Sequence, residues 1–180
     1  AHNVMDTFTT DATGTVTLPE SLVPGTYYVR ETSAKEPYLV GEEIEVNIPA
    51  DMNLTPVAIA SYYDHAATGN IRIVKTDAID GSSLAGAVFE IRASALDGET
   101  VATVTTDETG EARADNLPLG SGTARYEVVE TQAPAGFLLD QTTHIVDLTY
   151  ADQKTPVVEA RLNVSDDYTK VDISKVDASG

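Results

Sequence analysis

Residues 9–18 read T-T-D-A-T-G-T-V-T-L, and residues 105–112 read T-T-D-E-T-G-E-A. The likeness continues downstream. L-V-P-G-T-Y-Y-V-R-E-T (22–32) is matched by L-G-S-G-T-A-R-Y-E-V-V-E-T (119–131), and N-I-R-I-V-K-T-D-A-I-D-G (70–81) by K-V-D-I-S-K-V-D-A-S-G (170–180). A repeat of this period constrains the fold more than any single motif, because one supersecondary unit must serve every copy. The 180 residues cannot hold two whole copies at an offset of 96–100. Residues 69–168 are read as a complete unit, 1–68 as a unit lacking its first strands, and 169–180 as the opening strand of a following one. With neither a leader nor a sorting tail in view, the chain reads as a segment of something longer.

Short alternating runs at 8–12-residue spacing predict strands near 70–76, 86–93, 100–106, 111–115, 124–131, 143–149 and 156–166. Turn chemistry separates them: D-G at 80–81 and 97–98, T-G at 109–110, P-A-G at 134–136. Ala87, Phe89 and Ile91 share one face, with Val88, Glu90 and Arg92 opposite. Val16 and Leu18, then Ile44, Val46 and Ile48, alternate likewise in the first unit. Seven short strands in about a hundred residues predict an all-β Greek-key sandwich.

Twenty-nine acidic residues against eleven basic ones leave a net charge of −18, which disfavours nucleic acid and anionic membrane surfaces as partners. No stretch approaches the roughly 18 apolar residues of a membrane span. Cysteine is absent, which removes disulfides, thiolate metal sites and cysteine nucleophiles. His2, His65 and His144 have no metal-ligand spacing, and no G-x-S-x-G occurs, so neither metal, cofactor nor enzyme activity is expected. D-A-I-D-G and D-A-S-G lack the D-x-D-x-D-G order of a calcium loop and read as Asp-Gly turns.

Alternation also assigns direction. Ile71 and Ile73 carry Lys75 inward, Tyr126 and Val128 carry Glu130 inward, and Val158, Ala160, Leu162 and Val164 carry Asp166 inward. A lysine and two acids thus fall on apolar faces of the first, fifth and last strands. Three readings fit: strand-end side chains that snorkel to water, a buried ion pair with a spare acid, or condensation of the amine with a carboxyl to form an amide. The third needs a neutral amine and a protonated carboxyl, and burial drives both kinds of group toward neutrality. A second acid would move the protons. The repeat preserves the parts: Tyr27, Val29 and Glu31 match Tyr126, Val128 and Glu130. Asp64 closes the first unit, and Val171, Ile173 and Lys175 alternate at the start of the next.

Y-E-V-V-E-T-Q-A-P-A-G-F (126–137) resembles the E-box of Gram-positive pilins. With I-V-K-T-D (73–77), L-A-G-A-V-F-E-I (84–91) and T-T-D-E-T-G (105–110), the chain resembles the CnaB-type domains of surface adhesins and pilins, which are prealbumin-like, immunoglobulin-like sandwiches. The resemblance implies an intramolecular isopeptide bond, with Lys75 as nucleophile, Glu130 as assisting acid and Asp166 as acceptor. Asn163 is the rival acceptor, since asparagine is the commoner one in pilins, but it alternates with Arg161 and Glu159. In the first unit Glu31 and Asp64 match without a lysine partner, and the E-box lapses after Thr32 into S-A-K-E-P-Y. A strand bearing Lys175 from another copy is one way to complete that unit.

The resemblance further implies a structural stalk or backbone module on the cell-wall-anchored surface of a Gram-positive bacterium, partnered by neighbouring repeats. A ligand-binding adhesin module, contacting a host molecule through its loops, is the alternative. The absence of a Y-P-K pilin motif leans toward a stalk.

Overall fold

A computed structural model describes residues 3–18, 22–50, 61–168 and 173–175. The chain divides into two compact units, Ala1–Ala34 with Val40–His65, and Lys35–Leu39 with Ala66–Gly180. The second includes the short segment 35–39, whose Tyr38 pairs with Ala66.

Among its described residues, the second unit is all-β apart from one turn of 3-10 helix, Ser94–Leu96. Its strands are β3 (Thr68–Asp77), β4 (Val88–Ala93), β5 (Glu99–Thr105), β6 (Glu111–Pro118), β7 (Thr123–Gln132), β8 (Thr143–Thr149) and β9 (Val157–Asp166). All seven predicted strands are present, shifted by at most a few residues at their ends. They form a three-stranded sheet, β6-β3-β9, and a four-stranded sheet, β5-β4-β7-β8. Ile71 and Ile73 from one sheet meet Phe89, Ile91, Val128 and Leu148 from the other, with Val164 beside them, all essentially without solvent contact. Each such side chain contributes about 1.5–3 kcal/mol when fully buried.

The first and last strands of this unit are neighbours and run parallel. Their register holds over ten positions, from Thr68 opposite Val157 to Asp77 opposite Asp166. Antiparallel β6 covers the other edge of β3, so β3 is a central strand and its inward side chains are sealed on both flanks. Alternation there gives Ile71, Ile73, Lys75 and Asp77, all buried. Lys75 is also fixed through its backbone. Its N–H donates to Gly110 O at 2.8 Å, and its carbonyl accepts from Leu84 N at 3.1 Å. Gly110 has φ +75°, and a Cβ there would lie 2.5 Å from the Lys75 carbonyl oxygen. Only glycine meets both demands.

The first unit shows two strands among its described residues, β1 (Gly25–Val29) and β2 (Ile44–Ile48), paired antiparallel. Tyr27, Val29, Ile44, Val46 and Ile48 take the more buried face, as the alternation predicts. The repeated turn is reproduced bond for bond. Asp11 Oδ1 accepts from Thr13 N at 2.8 Å, and Asp107 Oδ1 accepts from Thr109 N at 2.8 Å. The carbonyls of the two aspartates accept from Gly14 and Gly110. The expected strand through Val16 and Leu18 is not formed. Its counterpart β6 is held by β3, and residues 3–10 supply no strand to replace it. Residues 61–64 are likewise not a strand, and residues 51–60 lie outside the described set.

Candidate functional site

Lys75 is the largest fully buried side chain of the described residues, at 0% exposure. A charged amine is seldom found so deep without partners. Two strands supply them. Asp166, 2% exposed, lies at the end of β9, two residues beyond the register partner of Lys75, and its Oδ1 accepts a hydrogen bond from Nζ. Glu130, 3% exposed, projects from β7 in the facing sheet, and its Oε1 lies 2.9 Å from Nζ. The Phe89 ring, on the residue paired with Glu130, forms the apolar floor, its centroid 5.5 Å from Nζ.

Burial pushes the Glu130 carboxyl up, and Asp166 adds to the rise; the Asp140 N–H and Lys75 oppose it. That backbone N–H donates to Glu130 Oε2 at 2.7 Å and aims Oε1 at the lysine. Asp140 is in turn held by His144, whose Nε2 lies 2.7 Å from its Oδ2. Burial raises the Asp140 carboxyl, but hydrogen bonds from Thr142 and His144 outweigh it and leave it low. His144 lies on β8, within the strand predicted near 143–149, yet the sequence gave no sign of its link through Asp140 to Glu130.

The cluster is capped by the chain following each acid. Phe137 stacks on Tyr168 with ring centroids 4.7 Å apart. Leu138 N donates to Asp167 O and Ala78 N to Asp166 O, each at 2.9 Å. These contacts close the end of the sandwich over Lys75, Glu130 and Asp166. Water is thereby kept from the three groups.

The structure thus brings together the three residues that alternation placed on core faces. The rival acceptor Asn163 is exposed on the opposite face of β9, where its Oδ1 accepts from Arg161 Nε at 3.0 Å. In the first unit Glu31 repeats the Glu130 arrangement: its Oε2 accepts from Gly41 N at 2.7 Å, again ten residues downstream. Asp64 is exposed. Tyr62 is the residue beside Glu31, packed over Gly41 with its hydroxyl donating to the Val29 carbonyl. Lys175 is exposed and outside any strand, and Val171 lies outside the described residues.

One buried acid escaped the sequence reading. Asp77, 2% exposed, continues the alternation of Ile71, Ile73 and Lys75 and stands in register with Asp166. The signal was present in the period-2 pattern, but the residue reads more readily as the start of a turn. Among the described residues, no group of three His, Asp or Glu side chains is placed to hold a metal ion.

A seven-stranded sandwich with parallel first and last strands and a buried lysine–carboxyl cluster between its sheets defines a prealbumin-like β-module. A sequence profile for the SpaA prealbumin-like fold domain matches residues 1–61 and 69–164, and the chain belongs to that family.

Among solved structures, the chain is similar to the Bacillus anthracis TIE protein, at 26% identity and a TM-score of 0.65, over 88% of this chain and 28% of that one. It is also similar to the D312A form of BcpA, the major pilin subunit of Bacillus cereus, at 28% identity and a TM-score of 0.43, over 54% and 28% of the two chains. The T6 backbone pilin of serotype M6 Streptococcus pyogenes matches at 26% identity and a TM-score of 0.41, over 46% and 16%. The chain therefore spans under a third of the length of these proteins. No curated protein sequence matches it.

Proposed function

We propose that the chain is a stalk or backbone segment of a Gram-positive cell-surface pilin or adhesin, whose complete unit is closed by a self-formed amide between Lys75 and Asp166. The observation that carries this reading is the fully buried Lys75 amine, hydrogen-bonded to Asp166 and 2.9 Å from Glu130. Desolvating an ammonium and carboxylates costs several kcal/mol per ion, and only good geometry repays it. Condensation removes that cost by converting the pair into a neutral amide.

In the reaction the Nζ–Cγ bond forms, one C–O bond of Asp166 breaks, and two protons travel from nitrogen to the departing oxygen, which leaves as water. Glu130 is within reach of Nζ and is the carrier for those protons. The event happens once per chain, so the module is not an enzyme in the turnover sense.

Topology supplies the use. The chain enters the unit at the Thr68 end of β3 and leaves at the Asp166 end of β9, at opposite ends of a parallel pair. Pulling on the termini of the unit therefore loads this pair in shear. An amide from Lys75 to Asp166 would carry the load directly and spare the sheets between. Neighbouring repeats of the same chain are the natural partners of such a unit, and a cell-wall-anchored, extracellular setting is where that load arises.

Intact mass spectrometry tests the proposal. The purified chain should be lighter than its sequence mass by one water, and Lys75→Ala should restore the full mass. A wild-type chain at full sequence mass, with the unit folded, would overturn it.

A further inference from the structure

Asp166 meets Lys75 from a position open to fraying. It is the last residue of β9, and among the described residues β9 is paired on one side only, by β3. Strand ends at a sheet edge open locally at far lower cost than central strands. A displacement of about 1 Å between reacting atoms costs about a hundredfold in rate. The bond from Ala78 N to the Asp166 carbonyl, 2.9 Å long, is one tie on this strand end.

Tyr168, two residues further on, supplies the others. Its ring stacks on that of Phe137, with centroids 4.7 Å apart and planes 27° from parallel. The backbones of the two residues form an antiparallel bridge, which the bond from Leu138 N to the Asp167 carbonyl reinforces. The Tyr168 hydroxyl makes a side-chain hydrogen bond with Asp77. That bond, then burial and the charges of Asp77 and Asp80, pushes the hydroxyl up, so it stays protonated and is the donor. Tyr168 is 39% exposed and lies outside the core cluster, so these contacts tie elements together and are not core packing.

Each tie reaches an element that presents one of the three clustered side chains. Asp77 ends β3, two residues beyond Lys75. Phe137 lies between Glu130 and Asp140, in the stretch whose last N–H aims the Glu130 carboxyl. Tyr168 itself follows Asp166. Resting on the amide-forming reading above, we propose that Tyr168 is a positioning residue for that reaction: clasped to Phe137 and to Asp77, it holds the Asp166 carboxyl against the Lys75 amine. The bond changes are those given above, and Tyr168 moves no proton in them. The clasp acts before the Nζ–Cγ bond forms, by narrowing the positions open to the end of β9. Once the amide is made, the amide does the holding.

The test uses the whole 180-residue chain made by cell-free synthesis. Water loss is followed by intact mass over time at several pH values, at a temperature where the variants keep the wild-type circular dichroism spectrum. Tyr168→Ala should form the amide at least about tenfold more slowly, with the shape of the pH–rate profile unchanged, because the residue places Asp166 and carries no proton. Tyr168→Phe keeps the stacked ring and the bridge, and should return the rate to within about threefold of wild type. Phe137→Ala should be as slow as Tyr168→Ala, and the double variant no slower than either, since both break one contact. Tyr168→Leu, with neither ring nor hydroxyl, should be equally slow and stands in if the alanine variant does not fold. A Tyr168→Ala or Tyr168→Leu chain that condenses at the wild-type rate overturns the role given to Tyr168. So does slowing that Tyr168→Phe fails to relieve, or a pH profile that changes shape. A wild-type chain that never loses water overturns the amide itself, a result distinct from any of these.

Discussion

Glu130→Gln isolates the contribution of the amide to stability. Glutamine has the shape of glutamate and still accepts the Asp140 N–H that now binds Oε2. It cannot carry a proton from Lys75, so Lys75 and Asp166 should persist as an ion pair. The amide would close a loop between positions 91 apart in sequence. Closing a loop of that length removes about 15 cal/mol/K of unfolded-chain entropy, or roughly 4–5 kcal/mol at 25 °C. For a unit of roughly a hundred residues, this corresponds to a fall in melting temperature of about 15–25 °C. Intact mass should show the variant heavier than wild type by one water, less the small Glu-to-Gln difference, and calorimetry should give the shift. Two results would refute the reasoning. A Glu130→Gln chain that has lost water shows that Glu130 is not the carrier. A chain without the amide that melts within about 5 °C of wild type shows that loop closure is not the source of stability.

Asn163→Ala should leave the one-water mass deficit unchanged, because Asn163 lies on the outer face of β9; a loss of ammonia from wild type that this change abolishes would reassign the acceptor. Gly110→Ala should destabilise the second unit by more than the roughly 1–2 kcal/mol cost of a left-handed alanine, since its Cβ also meets the Lys75 carbonyl; chemical denaturation measures this. Hydrogen bonds, first from the Thr109 side chain and then from the Glu111 and Thr109 backbones, hold the Asp107 carboxyl below its usual range. A lowered acid stabilises above its unfolded value, near pH 3.9, and the gain is lost as pH falls through the folded value. Asp107→Ala should therefore lower the melting temperature more at pH 7 than at pH 2.5, as read by calorimetry at both.

Strand positions in the second unit were legible because each strand buries one face, so Phe89 and Ile91 or Val128 and Glu130 declare their direction by period alone. The same rule places Lys75, Glu130 and Asp166 on core faces from the sequence alone. It failed where pairing, and not pattern, decides. Val16 and Leu18 alternate as well as any strand, but a strand also needs a neighbour to bond, and no described residue supplies one. The parallel pairing of β3 and β9 was invisible, since alternation specifies faces and not partners. Asp77 was hidden by its double duty, because an aspartate that opens a turn gives the same sequence signal whether or not its second oxygen is buried. In the first unit an aromatic ring, that of Tyr62, stands near Glu31, a contact that alternation alone does not signal.

The parallel ladder has a consequence for damage. Were Lys75 joined to Asp166 as proposed, residues 76–165 would become a side branch hung between two points of a continuous covalent path. A break in the backbone at the turn after Ala93, at Gly120–Gly122, or in the stretch that bears Phe137 would open that branch without parting the molecule. A fibre assembled from such units could be nicked many times along its length and still hold at both ends.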